Sequence, residues 1–141
     1  MATLTLPVPP EPMSAARFID SIKSLDRFKR EQAALEALLA GHVPGCMRSF
    51  VDITADFTDP SGVQHQLVVR ALPDFLCIGT DDERLRIPLM PLTAQKVADA
   101  WTCVLPTPKL AHLAWEAAAG KVPPEPWGPP YDTTMMSTDR I

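Results

Sequence analysis

The spacing of apolar residues changes twice along this chain, and any fold must satisfy both periods. Between Ser14 and Gly41 apolar side chains recur three and four apart, the stripe of an amphipathic helix. From Phe50 to about Leu89 they alternate at two, as in strands with one covered face, and from Thr93 to Gly120 the helical spacing returns. This order predicts an α+β fold: two N-terminal helices, a four-stranded antiparallel meander, and two C-terminal helices packed on one sheet face.

The first helix is expected to follow an N-cap at Ser14, with Phe18, Ile19, Ile22 and Leu25 facing inward. The second begins near Ser24 or Asp26, buries Phe28, Leu35, Leu38 and Leu39, and ends at Gly41, with Pro44 preventing its resumption. Its cations Lys23, Arg27, Lys29 and Arg30 read as a solvated face, partly neutralised by pairs Asp26–Arg30 and Arg27–Glu31. In the strand region Val51, Ile53, Ala55 and Phe57 alternate with Asp52, Thr54 and Asp56, and Asp59-Pro60-Ser61-Gly62 has the chemistry of a type I turn. The returning strand sets Val63, His65, Leu67, Val69 and Ala71 on one face, against Gln64, Gln66 and Arg70. Leu72, Phe75, Leu76 and Ile78 suggest a third strand, and Leu85, Ile87 and Leu89 a fourth. Thr93 is the expected cap of the third helix, which turns Val97, Ala100, Trp101 and Val104 inward and stops at Pro106. Thr107 and Pro108 start the fourth, which ends near Ala119 before Gly120, with Leu110, Leu113, Ala114 and Ala117 as its stripe.

Prolines punctuate both ends. Pro7, Pro9, Pro10 and Pro12 make residues 1–13 an extended arm, either strap or tail, and residues 121–141 contain two P-x-x-P segments, Pro123 to Pro126 and Pro126 to Pro129, interleaved with Trp127 and Tyr131. Residues 14–120 are then a single domain, a size at which a chain buries most of its apolar surface. The tail reads as a strap, a linker or a ligand for an aromatic groove.

A net charge of −4 argues against a nucleic-acid partner, which requires clustered cations. No apolar run approaches the ~20 residues of a membrane span. The N-terminus lacks the basic and apolar regions of a secretory signal, so the expected site is cytoplasmic unless a signal has been removed. Cys46, Cys77 and Cys103 have no C-x-x-C spacing and read as free thiols.

Five groups bear on chemistry. The turn Asp81-Asp82-Glu83 offers carboxylates to a divalent cation, the one candidate cofactor, or is simply a solvated turn. Lys109, His112 and Glu116 share one face of the fourth helix, His112 and Glu116 at metal-ligand spacing but without an assignable third ligand. His42 and Cys46 stand four apart, with Cys46 read as a buried thiol and His42 as a loop residue. His65 falls on the apolar strand face, as a hydrogen-bonded core histidine would. The fifth group is a convergence of Asp81, Asp82, Lys109 and His112, which would form a polar pocket if the acidic turn and the fourth helix lie at the same end of the domain. No Gly-rich phosphate loop, G-x-S-x-G or H-E-x-x-H occurs.

The run from Pro73 to Lys109 carries P-D-aromatic-L-x-I-G-S/T-D-D at Pro73, Asp74, Phe75, Gly79, Asp81 and Asp82. It continues with Pro88, Thr93, Ala94, Gln95 and Asp99, then C-x-L-P-T-x-K at Cys103, Pro106, Thr107 and Lys109. In these segments, about a third of the chain, it resembles a family of uncharacterised bacterial proteins, many of them exported. The resemblance implies a bacterial or phage origin and no particular mechanism. Many of those proteins continue past the proline-rich segment into a second half with its own histidines, so the sequence is also expected to represent the N-terminal half of a larger protein. Lacking a complete catalytic set, the chain is expected to be a non-catalytic binding or assembly module acting with a protein partner or as a homo-oligomer. The alternative is a hydrolase, with Asp81, Asp82, Lys109 and His112 as catalytic candidates and His112 and Glu116 as metal ligands.

Overall fold

A computed structural model describes residues 2–121. Four helices, α1 (Ala15–Ile22), α2 (Arg27–Leu39), α3 (Pro91–Ala100) and α4 (Pro108–Ala117), are joined by strands β1 (Val51–Thr58), β2 (Gln64–Ala71), β3 (Cys77–Gly79) and β4 (Arg84–Arg86). The mixed helix and strand class is as expected. None of the four helices is long and apolar enough to cross a membrane.

The core gathers where α1, α2, α3 and β3 meet. Ser14 Oγ accepts the Arg17 amide and starts α1, whose Ala15, Phe18, Ile19 and Ile22 are all buried. Asp26 caps α2 at the Lys29 amide, and Ala34, Leu35, Ala37 and Leu38 form its buried stripe. Leu38, Met47, Cys77 and Ile78 are completely inaccessible, and each such large apolar side chain contributes about 1.5–3 kcal/mol. Phe28 departs from expectation at 73% exposed. It lies on the stripe of Leu35 but in the first turn of α2, beyond the elements that cover the rest. Leu39, on the flank of the stripe, is exposed as well.

Residues 2–7 form a strap belonging to this core, so the domain begins before residue 14. Leu4 N–H donates to Arg48 O at 2.8 Å, Phe50 N–H donates to Ala2 O at 3.0 Å, and Leu4 and Leu6 are buried. The Arg48 guanidinium donates to Leu6 O, Pro7 O and Gly41 O, at 3.2, 2.8 and 2.8 Å. Gly41 ends α2 with φ +82°, and its missing Cβ is where Pro7 O passes.

The expected four-stranded meander is instead two separate two-stranded antiparallel sheets, β1–β2 and β3–β4. Two features of the link divide them. Pro73 removes a ladder donor, and Asp74 folds the chain by accepting the Phe75 amide at 2.8 Å and the Arg86 fork at 3.0 and 2.9 Å. Beyond it, the three residues of β3 are buried, and Gly79 N–H donates to His42 O rather than to β2. Phe75, expected in the third strand, lies on this link at 78% exposed.

The β1–β2 ribbon is the expected hairpin, its register setting Ala55 opposite Leu67 and Phe57 opposite His65, and the Asp59–Gly62 turn closes through Gly62 N–H to Asp59 O at 2.9 Å. Its apolar face is the expected one but is only half covered, by α4, while α3 packs on α2 rather than on a sheet. α3 starts at Pro91 with Met90 as its cap, and Thr93 is buried inside it. It ends well before Pro106, because Thr102 takes φ 54° and Cys103 N–H returns to Ala98 O, closing a Schellman motif that leaves Ala100 and Val104 exposed. α4 ends at Ala117, itself exposed.

Candidate functional site

The acidic turn links β3 to β4 through Thr80, whose amide donates to Glu83 O at 2.8 Å and whose Oγ1 accepts the Glu83 amide at 3.1 Å. Two of its carboxylates meet backbone amides. Asp81 Oδ1 accepts the Cys46 amide at 3.2 Å, at the start of the 3-10 turn Gly45–Arg48, and Gly45 leaves room for that carboxylate. Glu83 Oε1 accepts the Ala16 amide at 2.9 Å in the first turn of α1. Glu31 does the same elsewhere, accepting the Met90 amide ahead of α3 at 2.7 Å. Negative charge beside the unpaired amides of a helix start is favourable, so these side chains fix the orientation of helices. Asp82, the remaining acid of the turn, is exposed.

The predicted helical pairs are replaced accordingly. Asp26 pairs with Lys29 at 3.4 Å, Arg30 donates to Lys23 O at 3.2 Å, and Glu31 is drawn to α3.

On α4, Thr107 Oγ1 accepts the Leu110 amide and Pro108 fills the first position, as expected. His112 Nε2 stands 3.3 Å from Glu116 Oε1, both side chains well exposed. Lys109 lines the groove between α4 and the β1–β2 ribbon. No hydrogen bond or ion pair among the described residues joins Asp81 or Asp82 to Lys109 or His112, and no group of three His, Cys, Asp or Glu residues is placed to hold a metal.

The histidine and cysteine expectations need correction. Cys46 is exposed, since it sits on the outer side of the 3-10 turn while Met47 takes the buried position. Burial instead affects Cys77 and Cys103, raising both thiols above their ordinary range. His42 is half-buried, with Nδ1 enclosed and unpaired among the described residues. His65 is exposed on the ribbon rather than in the core, stacked on Phe57 with ring centroids 5.2 Å apart, and its Nε2 lies 2.9 Å from Asp59 Oδ2. Asp59 Oδ1 also accepts Ser61 Oγ, Ser61 N–H and Val63 N–H at 2.8, 2.9 and 3.0 Å. These bonds, the one from His65 first, hold the Asp59 carboxyl down at about 2. Ser61 donates to Asp59 and not to His65, so the trio lacks the hydroxyl–imidazole contact of a nucleophile and its base.

The surface that sequence reasoning missed is the groove between the ribbon and α4. It encloses about 350 Å³, lined by Ala55, Phe57 and Leu67 from the ribbon and Leu110 and Leu113 from α4, with Asp56 and Lys109 at its edge. Phe57 in this lining and Trp115 on α4 are each more than half exposed, and Lys121 Nζ stands 5.9 Å over the Trp115 ring. Both walls were visible in the sequence, the alternation of Ala55, Phe57 and Leu67 and the stripe of Leu110 and Leu113, but not the gap between them. The P-x-x-P segments lie outside the described residues. Comparisons with protein-family models, curated proteins and solved structures give no match.

Proposed function

We propose that the chain is a non-catalytic binding or assembly module that engages a protein partner through the β1–β2 ribbon and α4. The observation that carries this is the half-covered ribbon. Phe57 and Leu67, which line the groove on the same ribbon face, are 52% and 43% exposed, and α4 buries no residue completely. Two strands and one loosely seated helix leave contiguous apolar surface in water, a feature of interaction sites. The alternative hydrolase site has less support. Asp81 accepts an amide, Glu83 caps a helix, and His112 pairs with Glu116 in solvent.

A photoreactive phenylalanine placed at Phe57 or Trp115, and at Asp82 as control, tests the surface in cells that make the protein. Discrete protein adducts from positions 57 and 115 but not 82 are expected. Adducts from 82 alone, or from none, overturn the assignment of the surface. Elemental analysis tests the other reading: about one transition-metal ion per purified chain would favour a metal-dependent enzyme.

A further inference from the structure

We propose that the outer edge of β2 docks a second copy of this chain, giving a four-stranded antiparallel sheet β1–β2–β2–β1 about a two-fold axis at Leu67. This rests on the binding-module reading and names its partner.

The edge is long and undefended. β2 pairs with β1 over eight consecutive positions without a bulge, contains neither proline nor lysine, and pairs with no other strand among the described residues. Folded proteins usually blunt such an edge with one of these devices, because its free amides and carbonyls are a template for another strand. α4 lies against β1, and six of the eight β2 residues are exposed.

Charge distinguishes the two edges of the ribbon. β1 carries Asp52 and Asp56 on one face and no cation. Pairing β1 with itself about Thr54 sets each Asp52 against an Asp56, and directly opposed like charges destabilise a sheet; the equally long register about Ala55 opposes none but gathers four carboxylates on one face of two strands that carry no cation. β2 has one formal charge, Arg70. With Leu67 on the axis, Arg70 faces the partner's Gln64, and no like charges meet. Gln66 donates to Asp56 Oδ1 at 3.0 Å and Arg70 Nε pairs with Asp52 at 3.6 Å, so Gln64 is the better-placed amide to meet the remaining donors of Arg70. On the α4 side, Leu67 meets its own copy and His65 meets the partner's Val69, extending the apolar face already formed by Phe57 and Leu67. The seven paired residues span about 24 Å, which places the contact at the small end of specific interfaces and makes the dimer reversible.

Sedimentation equilibrium on the purified full chain tests this with two kinds of variant. The native chain is expected to pass from monomer to dimer as concentration rises, with Leu67→Lys weakening association by about tenfold or more by setting two ammonium groups together. In a Cys46→Ser background, mild oxidation should link Leu67→Cys chains into dimers, because residues opposed across an axis bring their Cβ atoms near disulfide range. Thr54→Cys on β1 should stay unlinked. A chain that remains monomeric to about 1 mM overturns the proposal. So does a dimer that Leu67→Cys fails to trap, or one that Thr54→Cys traps equally well. If Leu67→Lys does not fold, the cysteine variants decide. A monomer that still forms adducts from position 57 removes the second copy and leaves the binding module standing, whereas a monomer with no adducts from positions 57 and 115 removes both.

Discussion

The carboxylate of Glu83 accepts the amide of Ala16 at 2.9 Å across 67 residues of sequence, joining the β3–β4 turn to the start of α1. Ser14 satisfies the neighbouring Arg17 amide, so the first turn of α1 is capped both by its own sequence and by a distant one. Glu83→Ala, which removes acceptor and charge, should destabilise the domain by about 1 kcal/mol in urea unfolding, while Glu83→Gln, which retains an acceptor, should cost less. Equal losses would mean that charge alone acts, and no loss in either variant would mean that the cap contributes nothing to stability.

This contact also marks what could be read from the sequence. Ser14, Asp26, Thr107, Gly41 and the Asp59–Gly62 turn were legible because each acts on backbone within four residues. Glu83, Glu31 and Asp81 were not, since their amide partners lie 67, 59 and 35 positions away and only packing brings them together. A cluster of acids on a turn looks the same in sequence whether it binds a cation or caps helices. The same limit applies to the meander. Strand periodicity identified β1, β2 and their apolar faces, but the parting of β2 from β3 depends on Asp74 reaching Arg86, twelve residues on. His65 was placed on the correct face, but that face is only half covered because α4 seats loosely on it.

The ribbon turn should open in acid. Asp59 is held below the ordinary carboxylate range, at about 2, so its contribution to folding is complete above that range and disappears as pH falls from about 4 through 2. Side-chain carboxyl shifts of Asp59 followed by NMR should titrate near that value, with the Ser61 and Val63 amides losing protection together. His65→Ala removes the largest cause of the depression and should move the Asp59 midpoint upward. An Asp59 midpoint near 4 in the unaltered chain would refute the hydrogen-bonded turn.

α2 ends in the same motif as α3, with His42 N–H donating to Ala37 O at 3.0 Å, and the two make a matched comparison. α2 ends on Gly41 at φ +82°, and α3 ends on Thr102 at φ 54°, a conformation that a β-branched residue adopts at a steric cost. Thr102 is exposed and lies outside the hydrophobic core, so Thr102→Gly should relieve that strain without loss of packing. The expected gain is about 0.5–1 kcal/mol, reduced by the greater freedom of glycine in the unfolded chain. Thermal unfolding would show a raised midpoint. A lowered midpoint would mean that the Thr102 side chain makes a stabilising contribution that outweighs its backbone strain.

Arg48 decides whether the N-terminal strap stays on the core. One guanidinium serves three carbonyls, Leu6, Pro7 and Gly41, two of them on the strap and the third at the end of α2. Gly41 is already constrained by its positive φ and by the approach of Pro7 O, so the strap, the helix end and Arg48 form one unit. Arg48→Ala leaves these carbonyls without their charged donor and should cost about 2 kcal/mol. Arg48→Lys should recover less than half of that, because an ammonium cannot reproduce the planar spread of Nη1 and Nη2 donors. Hydrogen exchange distinguishes local release from general weakening, since the Leu4 amide donates to Arg48 O and the Phe50 amide to Ala2 O. In Arg48→Ala both amides should exchange faster than the Lys23 and Ala40 amides at the ends of α1 and α2. If Leu4 and Phe50 keep their protection while Lys23 and Ala40 lose theirs, the strap is held by the burial of Leu4 and Leu6 and not by Arg48.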